Sequence, residues 1–123
     1  MAESTCACAC SAPKLVFTCS GAADVGEISD RAAREIARSG LGRMYCLAGI
    51  GGRIPDILKT TESSRSILAI DGCPGACASM SLKQAGFTDF EQVQLDRLGL
   101  EKGSSPASPE NIARVVEAAR QLI

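Results

Sequence analysis

Ser66-Ile-Leu-Ala-Ile-Asp-Gly-Cys-Pro-Gly-Ala-Cys77 is the stretch that decides the fold. Its first six residues form an apolar run without polar alternation, typical of a strand covered on both faces and therefore of a parallel sheet. Two further stretches read as strands. Lys14-Leu-Val-Phe-Thr18 leads into Cys19-Ser-Gly, and Arg43-Met-Tyr45 leads into Cys46-Leu-Ala-Gly. Each of the three runs out at a cysteine, and Cys19, Cys46 and Cys73 follow one another at intervals of 27 residues. In an open parallel sheet the carboxyl ends of the strands make one rim, where ligands bind. The spacing therefore predicts that these thiols meet in space. No histidine occurs in the chain, so whatever the thiols hold or do is done without imidazole.

Outward from these strands, helical patterns fill the gaps. Glu27 to Arg38 carries Ile28, Ala32, Ala33, Ile36 and Ala37 on one face, with Arg31, Arg34 and Arg38 off it, and Gly40 and Gly42 close it. The second strand is expected over Met44 to Ala48, followed by a glycine-rich turn, Gly49-Ile-Gly-Gly52. Pro55 suits the first turn of a helix reaching about Ser63. Another helix is expected from the Cys73-Pro-Gly-Ala-Cys77 turn to Gly86. Glu91 to Leu98 alternates and reads as a fourth strand at an edge; residues 99–107 read as loop. Ser108-Pro109-Glu110 is a helix start, and Ile112, Val115, Val116, Ala119 and Leu122 make the stripe of a last helix. The sum is a small three-layer α/β/α, Rossmann-like domain with a mostly parallel four-stranded sheet and right-handed crossovers.

A chain of 123 residues supports one core. With 3% aromatic residues and no Trp, that core must be built from Ala, Ile, Leu and Val. The net charge of −1, with both signs interspersed, gives no basic surface for nucleic acid or anionic lipid. No apolar run approaches the ~18 residues of a membrane span. Residues 1–13 are small and polar and read as a flexible cysteine-rich tail before the domain at 14–123. The tail lacks a basic start and a hydrophobic stretch, so it does not read as a secretory signal. The expected compartment is the cytoplasm, where thiols stay reduced. Seven cysteines, an odd number, also argue against a closed disulfide framework.

The turn after the first strand, Cys19-Ser-Gly-Ala-Ala-Asp-Val-Gly26, presents backbone N–H groups to an anion or thiolate. It carries no dinucleotide fingerprint and no phosphate-loop lysine. Val25 stands where a Cys-x5-Arg phosphatase loop would need its arginine. Cys73-Pro-Gly-Ala-Cys77 is more specific. With Pro74 at a first helical position, Cys77 would lie one turn above Cys73, where the helix terminus favours thiolate, the form that ligates metal and attacks electrophiles. Asp71 is a candidate oxygen ligand or an acceptor behind the ligands. Cys46, within an apolar strand, reads equally well as a core thiol. Four thiols, Cys19, Cys46, Cys73 and Cys77, fit tetrahedral zinc. In the tail, Cys6, Cys8 and Cys10 could wrap Cu(I) or a second zinc, fold back on the rim site, or be incidental.

At Cys19-Ser-Gly-Ala-Ala-Asp-Val-Gly26, Cys46-Leu-Ala-Gly-Ile-Gly51, Asp71-Gly-Cys-Pro-Gly-Ala-Cys77 and Asp96-Arg-Leu-Gly-Leu-Glu-Lys102 the chain resembles the DGC-domain family. These are small bacterial and archaeal proteins described as zinc-binding. The resemblance covers about Lys14 to Gly103. It implies metal binding by Cys19, Cys46, Cys73 and Cys77. The tail motif is not part of the shared pattern.

The favoured expectation is a cytoplasmic zinc-binding protein, with another thiophilic metal as the variant, whose rim thiolates sense, store or deliver the ion. The alternative is a thiol- or persulfide-transfer or redox enzyme with Cys19 or Cys77 as nucleophile. No His or Lys lies within the cysteine turns to serve as a base, so the helix dipole would have to activate the thiol; an enzyme is the lesser reading. The metal ion is the only partner the residues indicate.

Overall fold

The computed structural model describes residues 12–20 and 22–123. The tail cysteines Cys6, Cys8 and Cys10 lie outside the described residues. The sheet is built on two central strands, β1 (Lys14–Thr18) and β3 (Ser66–Asp71), paired in parallel from Lys14 beside Ser66 to Thr18 beside Ile70. β2 (Arg43–Met44) lies outside β1, and β4 (Glu91–Gln94) lies outside β3. The order is therefore β2-β1-β3-β4, with every pair parallel.

Strand alternation sends side chains to two cores. Val16, Leu68, Ile70 and Val93 pack with Ile28, Ala32 and Ile36 of α1 (Asp24–Arg38) and with Val115 and Ala119 of the C-terminal helix. Leu15, Phe17, Ile67 and Ala69 pack on the other face with Ile50, Ala78 and Leu82. Ile50 belongs to α2 (Leu47–Gly51), which is followed by α3 (Pro55–Glu62); Ala78 and Leu82 belong to α4 (Cys77–Gln84). The last helix, α5 (Pro109–Arg120), starts at Ser108, whose hydroxyl accepts from the Asn111 N–H. Such a cap stabilises a helix by about 1 kcal/mol. The result is a three-layer α/β/α domain, as expected.

Four local expectations need correction. The second strand ends at Met44 rather than Ala48, and the glycine-rich segment is helix α2, not a turn. The sulfur of Cys46 accepts from the Gly49 N–H at 3.3 Å, starting that helix, while Tyr45 turns its ring edge-on to Phe17 at 6.1 Å. Short apolar runs do not distinguish helix from strand. The fourth strand stops at Gln94, and Leu95–Leu98 tightens into a 3-10 turn ended by Gly99 at φ 85°. α1 starts three residues earlier than its apolar pattern, at Asp24. The Cys73–Ala76 segment is a turn rather than the first turn of a helix: the Ala76 N–H donates to the Cys73 carbonyl at 3.0 Å, and Cys77 is the first residue of α4.

Candidate functional site

The strand order creates one privileged place. From β1 the chain moves outward to β2, then crosses back to β3 on the other side of β1. Loops at the carboxyl ends of β1 and β3 consequently diverge to opposite faces, leaving a crevice at that switch point. Cys19 follows β1 directly, and Cys73 lies two residues beyond β3.

Cys19 is the bridge across the crevice. Its N–H donates to the Ile70 carbonyl at 3.2 Å, and its sulfur accepts from the Gly72 N–H at 3.0 Å. On the other side its S–H points to the Ser29 hydroxyl oxygen at 3.9 Å; that hydroxyl donates in turn to the Val25 carbonyl at 2.8 Å. Burial pushes the Cys19 thiol above the ordinary thiol range, against the opposing pull of the Gly72 N–H and the Ser29 hydroxyl. Cys19 is therefore a protonated thiol at neutral pH in the metal-free protein. Gly72 permits this close approach: a Cβ on it would stand 2.9 Å from the backbone of Val25.

Asp71, in the sequence a candidate oxygen ligand or an acceptor behind the ligands, is taken up by protein donors. It is fully buried, and its carboxylate accepts from the Ala78 N–H (2.8 Å), the Ser79 N–H (3.3 Å), the Ser79 hydroxyl (2.6 Å) and the Gln92 amide (2.9 Å). These bonds tie β3 to the first turn of α4 and to β4. Both oxygens are occupied, so Asp71 holds the turn that carries Cys73 and Cys77.

That turn includes Ala76 at φ 50°, a left-handed conformation rare for a residue with a Cβ. Beyond it Cys77 is exposed, while Cys73 is half-buried against the α1 side of the core. Cys19, Cys73 and Cys77 line one cavity of about 420 Å³, with Ala22, Ala23, Val25, Gly26, Ala76 and Lys102 completing its wall. Cys46 is exposed, is held as the cap of α2, and is not among the lining residues. The structure thus brings three of the four rim thiols to one cavity and leaves the fourth apart. Among the described residues, no group of three or more Cys, His, Asp or Glu side chains is arranged to hold a metal ion as it stands.

One residue of the wall, and the residue that anchors its loop, were not legible as part of the site in the sequence. Lys102 comes from the loop after the 3-10 turn, and Asp24 fixes that loop by accepting from the Gly103 and Ser105 N–H groups, each at 3.0 Å. These bonds, Gly103 foremost, hold the Asp24 carboxyl below the usual carboxylate range. Nothing local in the sequence marks Asp24 as the anchor of this loop, 79 residues away from Gly103. No helix among the described residues is long and apolar enough to cross a membrane.

A family model described as the DGC domain matches residues 15–119. The chain is also 35% identical, over 88 residues, to the anaerobic and virulence modulator AnvM of Pseudomonas aeruginosa. That match covers 72% of this chain and 67% of the relative. No solved structure matches.

Proposed function

The chain belongs to the DGC domain family, and from that premise we propose that it binds a thiophilic metal ion, zinc in the first place, through Cys19, Cys73 and Cys77. The observation that carries this reading is the convergence of these three thiols, from two strand ends and a helix start, on one cavity at the switch point of the sheet. The donor set suits the ion: three soft sulfurs, no imidazole, and no free carboxylate, since Asp71 is fully engaged. Zinc supplies a Lewis-acidic centre that makes thiolates of its cysteine ligands. The three sulfurs are not arranged to hold an ion as they stand, so the ion would have to draw them together. Cys73 and Cys77, on the turn held by Asp71, and Cys19 would hold the ion, each as a thiolate. With Cys46 at the start of α2, Cys19, Cys73 and Cys77 would be three protein ligands, a number that suits an exchangeable rather than a closed structural site.

An exchangeable site fits sensing, storage or delivery of the ion. The relative from P. aeruginosa is named as a modulator, which sits more easily with sensing than with catalysis. The alternative is thiol or persulfide transfer. Exposure of Cys77 at the first residue of α4 favours it as the nucleophile, whereas a half-buried, protonated Cys19 suits only the resolving role.

Elemental analysis of protein purified anaerobically without an affinity tag tests the reading. About one zinc per chain is expected, lost in Cys19→Ser, Cys73→Ser and Cys77→Ser and kept in Cys46→Ser. A full equivalent retained by Cys73→Ser would overturn the assignment. Protein that carries no metal when purified in this way supports the transfer reading instead.

A further inference from the structure

A second groove opens between α1 and α5, about 790 Å³ in volume and sharing no lining residue with the thiol cavity. Helical periodicity explains what lines it. On α1 the face with Ile28, Ala32 and Ile36 is buried in the core. Between those positions Arg31, Arg34 and Arg38 stand three and four residues apart along one flank of the groove. On α5, Ile112 and Val116 lie half-buried against the core, with the exposed Ala113 beside them, and Arg120 comes one turn beyond Val116. Each arginine meets an acidic neighbour on its own helix: Glu27 at 3.0 Å from Arg31, Asp30 at 2.8 Å from Arg34, Glu35 at 3.4 Å from Arg38 and Glu117 at 3.6 Å from Arg120. Each of these contacts uses one nitrogen of a guanidinium that carries several further N–H donors. All four arginine side chains are exposed by half or more, so the pairs are weak and the guanidiniums can turn to another carboxylate at little cost. In the lining, four guanidiniums stand against two carboxylates, Glu35 and Glu117, on a chain whose net charge is −1.

We propose that this groove docks an acidic, amphipathic helix of another protein, its apolar face on Ile112, Ala113 and Val116 and its carboxylates on the four arginines. Charge complementarity names the occupant. The excess of guanidinium calls for carboxylates, which arginine pairs in a two-point geometry. The apolar lining follows helical spacing on α5, as in grooves that receive the apolar face of a helix. From Pro109 to Arg120 the α5 side of the groove runs about 16 Å, the length of three helical turns. A second copy of this chain would bring an excess of arginine against the same excess. Nucleic acid would bring phosphates onto Glu35 and Glu117 and leave the apolar lining unused. Because the groove and the thiol cavity share no lining residue, docking here is independent of what the thiols do.

The test uses the full chain and a fluorescein-labelled synthetic helix of about four turns, with leucines on one face and glutamates on the other. Fluorescence anisotropy gives the affinity, and amide shifts of isotope-labelled protein give the place. Two controls are a peptide with lysine for every glutamate and one of the same composition with its leucines scattered. The acidic amphipathic peptide is expected to bind about tenfold more tightly than either control, with amide shifts confined to α1 and α5. Arg34→Gln combined with Arg38→Gln should weaken it about fivefold. Ala113→Glu, which sets a carboxylate on the exposed apolar lining, should weaken it at least as much, while Lys83→Gln on α4 should leave it unchanged. These substitutions lie at exposed helical positions, and an otherwise intact amide spectrum shows that each variant is folded. Binding no tighter than either control, or amide shifts outside α1 and α5, overturns the proposal. A labelled DNA duplex that binds this groove more tightly than the peptide overturns it in favour of nucleic acid. A dimer in sedimentation that Ala113→Glu dissolves overturns it in favour of a second copy.

Discussion

The sulfur of Cys19 accepts a hydrogen bond from the Gly72 backbone N–H at 3.0 Å, joining residues 53 positions apart across the switch point of the sheet. This bond makes the rim a single construction rather than two adjacent loops. It also fixes which thiol sits deepest: Cys19 is half-buried between the β3 turn and the first turn of α1, while Cys77 stands in solvent.

The contrast between those two thiols should be visible to an alkylating reagent. In metal-free protein at neutral pH, Cys77 is expected to react at least tenfold faster than Cys19, which is half-buried and protonated. The Cys19 rate should keep rising above the ordinary thiol range. The raised folded value has a counterpart in stability. A group that binds its proton more tightly when folded contributes fully below its unfolded pKa and loses that contribution as pH rises towards its folded pKa. Stability should therefore fall on the alkaline side, and Cys19→Ala should flatten that fall. Peptide mapping of alkylated protein and denaturant melts across pH measure both effects.

Asp71→Ala should destabilise the protein by about 3 kcal/mol, because it leaves four donors, at Ala78, Ser79 and Gln92, without their acceptor in a closed environment. The loss is expected equally in metal-free protein, as seen in urea melts. A loss confined to metal-loaded protein would instead make Asp71 a ligand.

Ala76→Gly should stabilise the fold by about 0.5 kcal/mol. The left-handed backbone at φ 50° costs Ala about 1–2 kcal/mol, and Gly offsets part of the relief with its larger unfolded-state entropy. A destabilised variant would show that the turn tolerates its Cβ for a packing reason. The midpoint of a urea titration decides it.

Much of the fold was legible because burial on two faces leaves a plain mark. The runs Leu15-Val-Phe17 and Ile67-Leu-Ala-Ile70 lie wholly in the two cores, as the strands of a parallel sheet covered by helices on both faces do. The segment around Cys46 was misread for the opposite reason. At a sheet edge, with a strand of two residues, the backbone can leave the ladder at little cost, and the Cys46 sulfur offers the Gly49 N–H another acceptor. No pattern of apolar residues records that competition.

By itself the sequence determined the layers, the parallel sheet and the gathering of cysteines at its carboxyl rim, because strand burial and strand-end chemistry are written in consecutive residues. Tertiary structure alone decided which thiols share a cavity. It separated Cys46 from Cys19, Cys73 and Cys77, committed Asp71 to the start of α4, and used Asp24 to set Lys102 in the cavity wall. Those choices depend on hydrogen bonds between residues far apart in the chain. Their partners become visible only once the strands are ordered β2-β1-β3-β4.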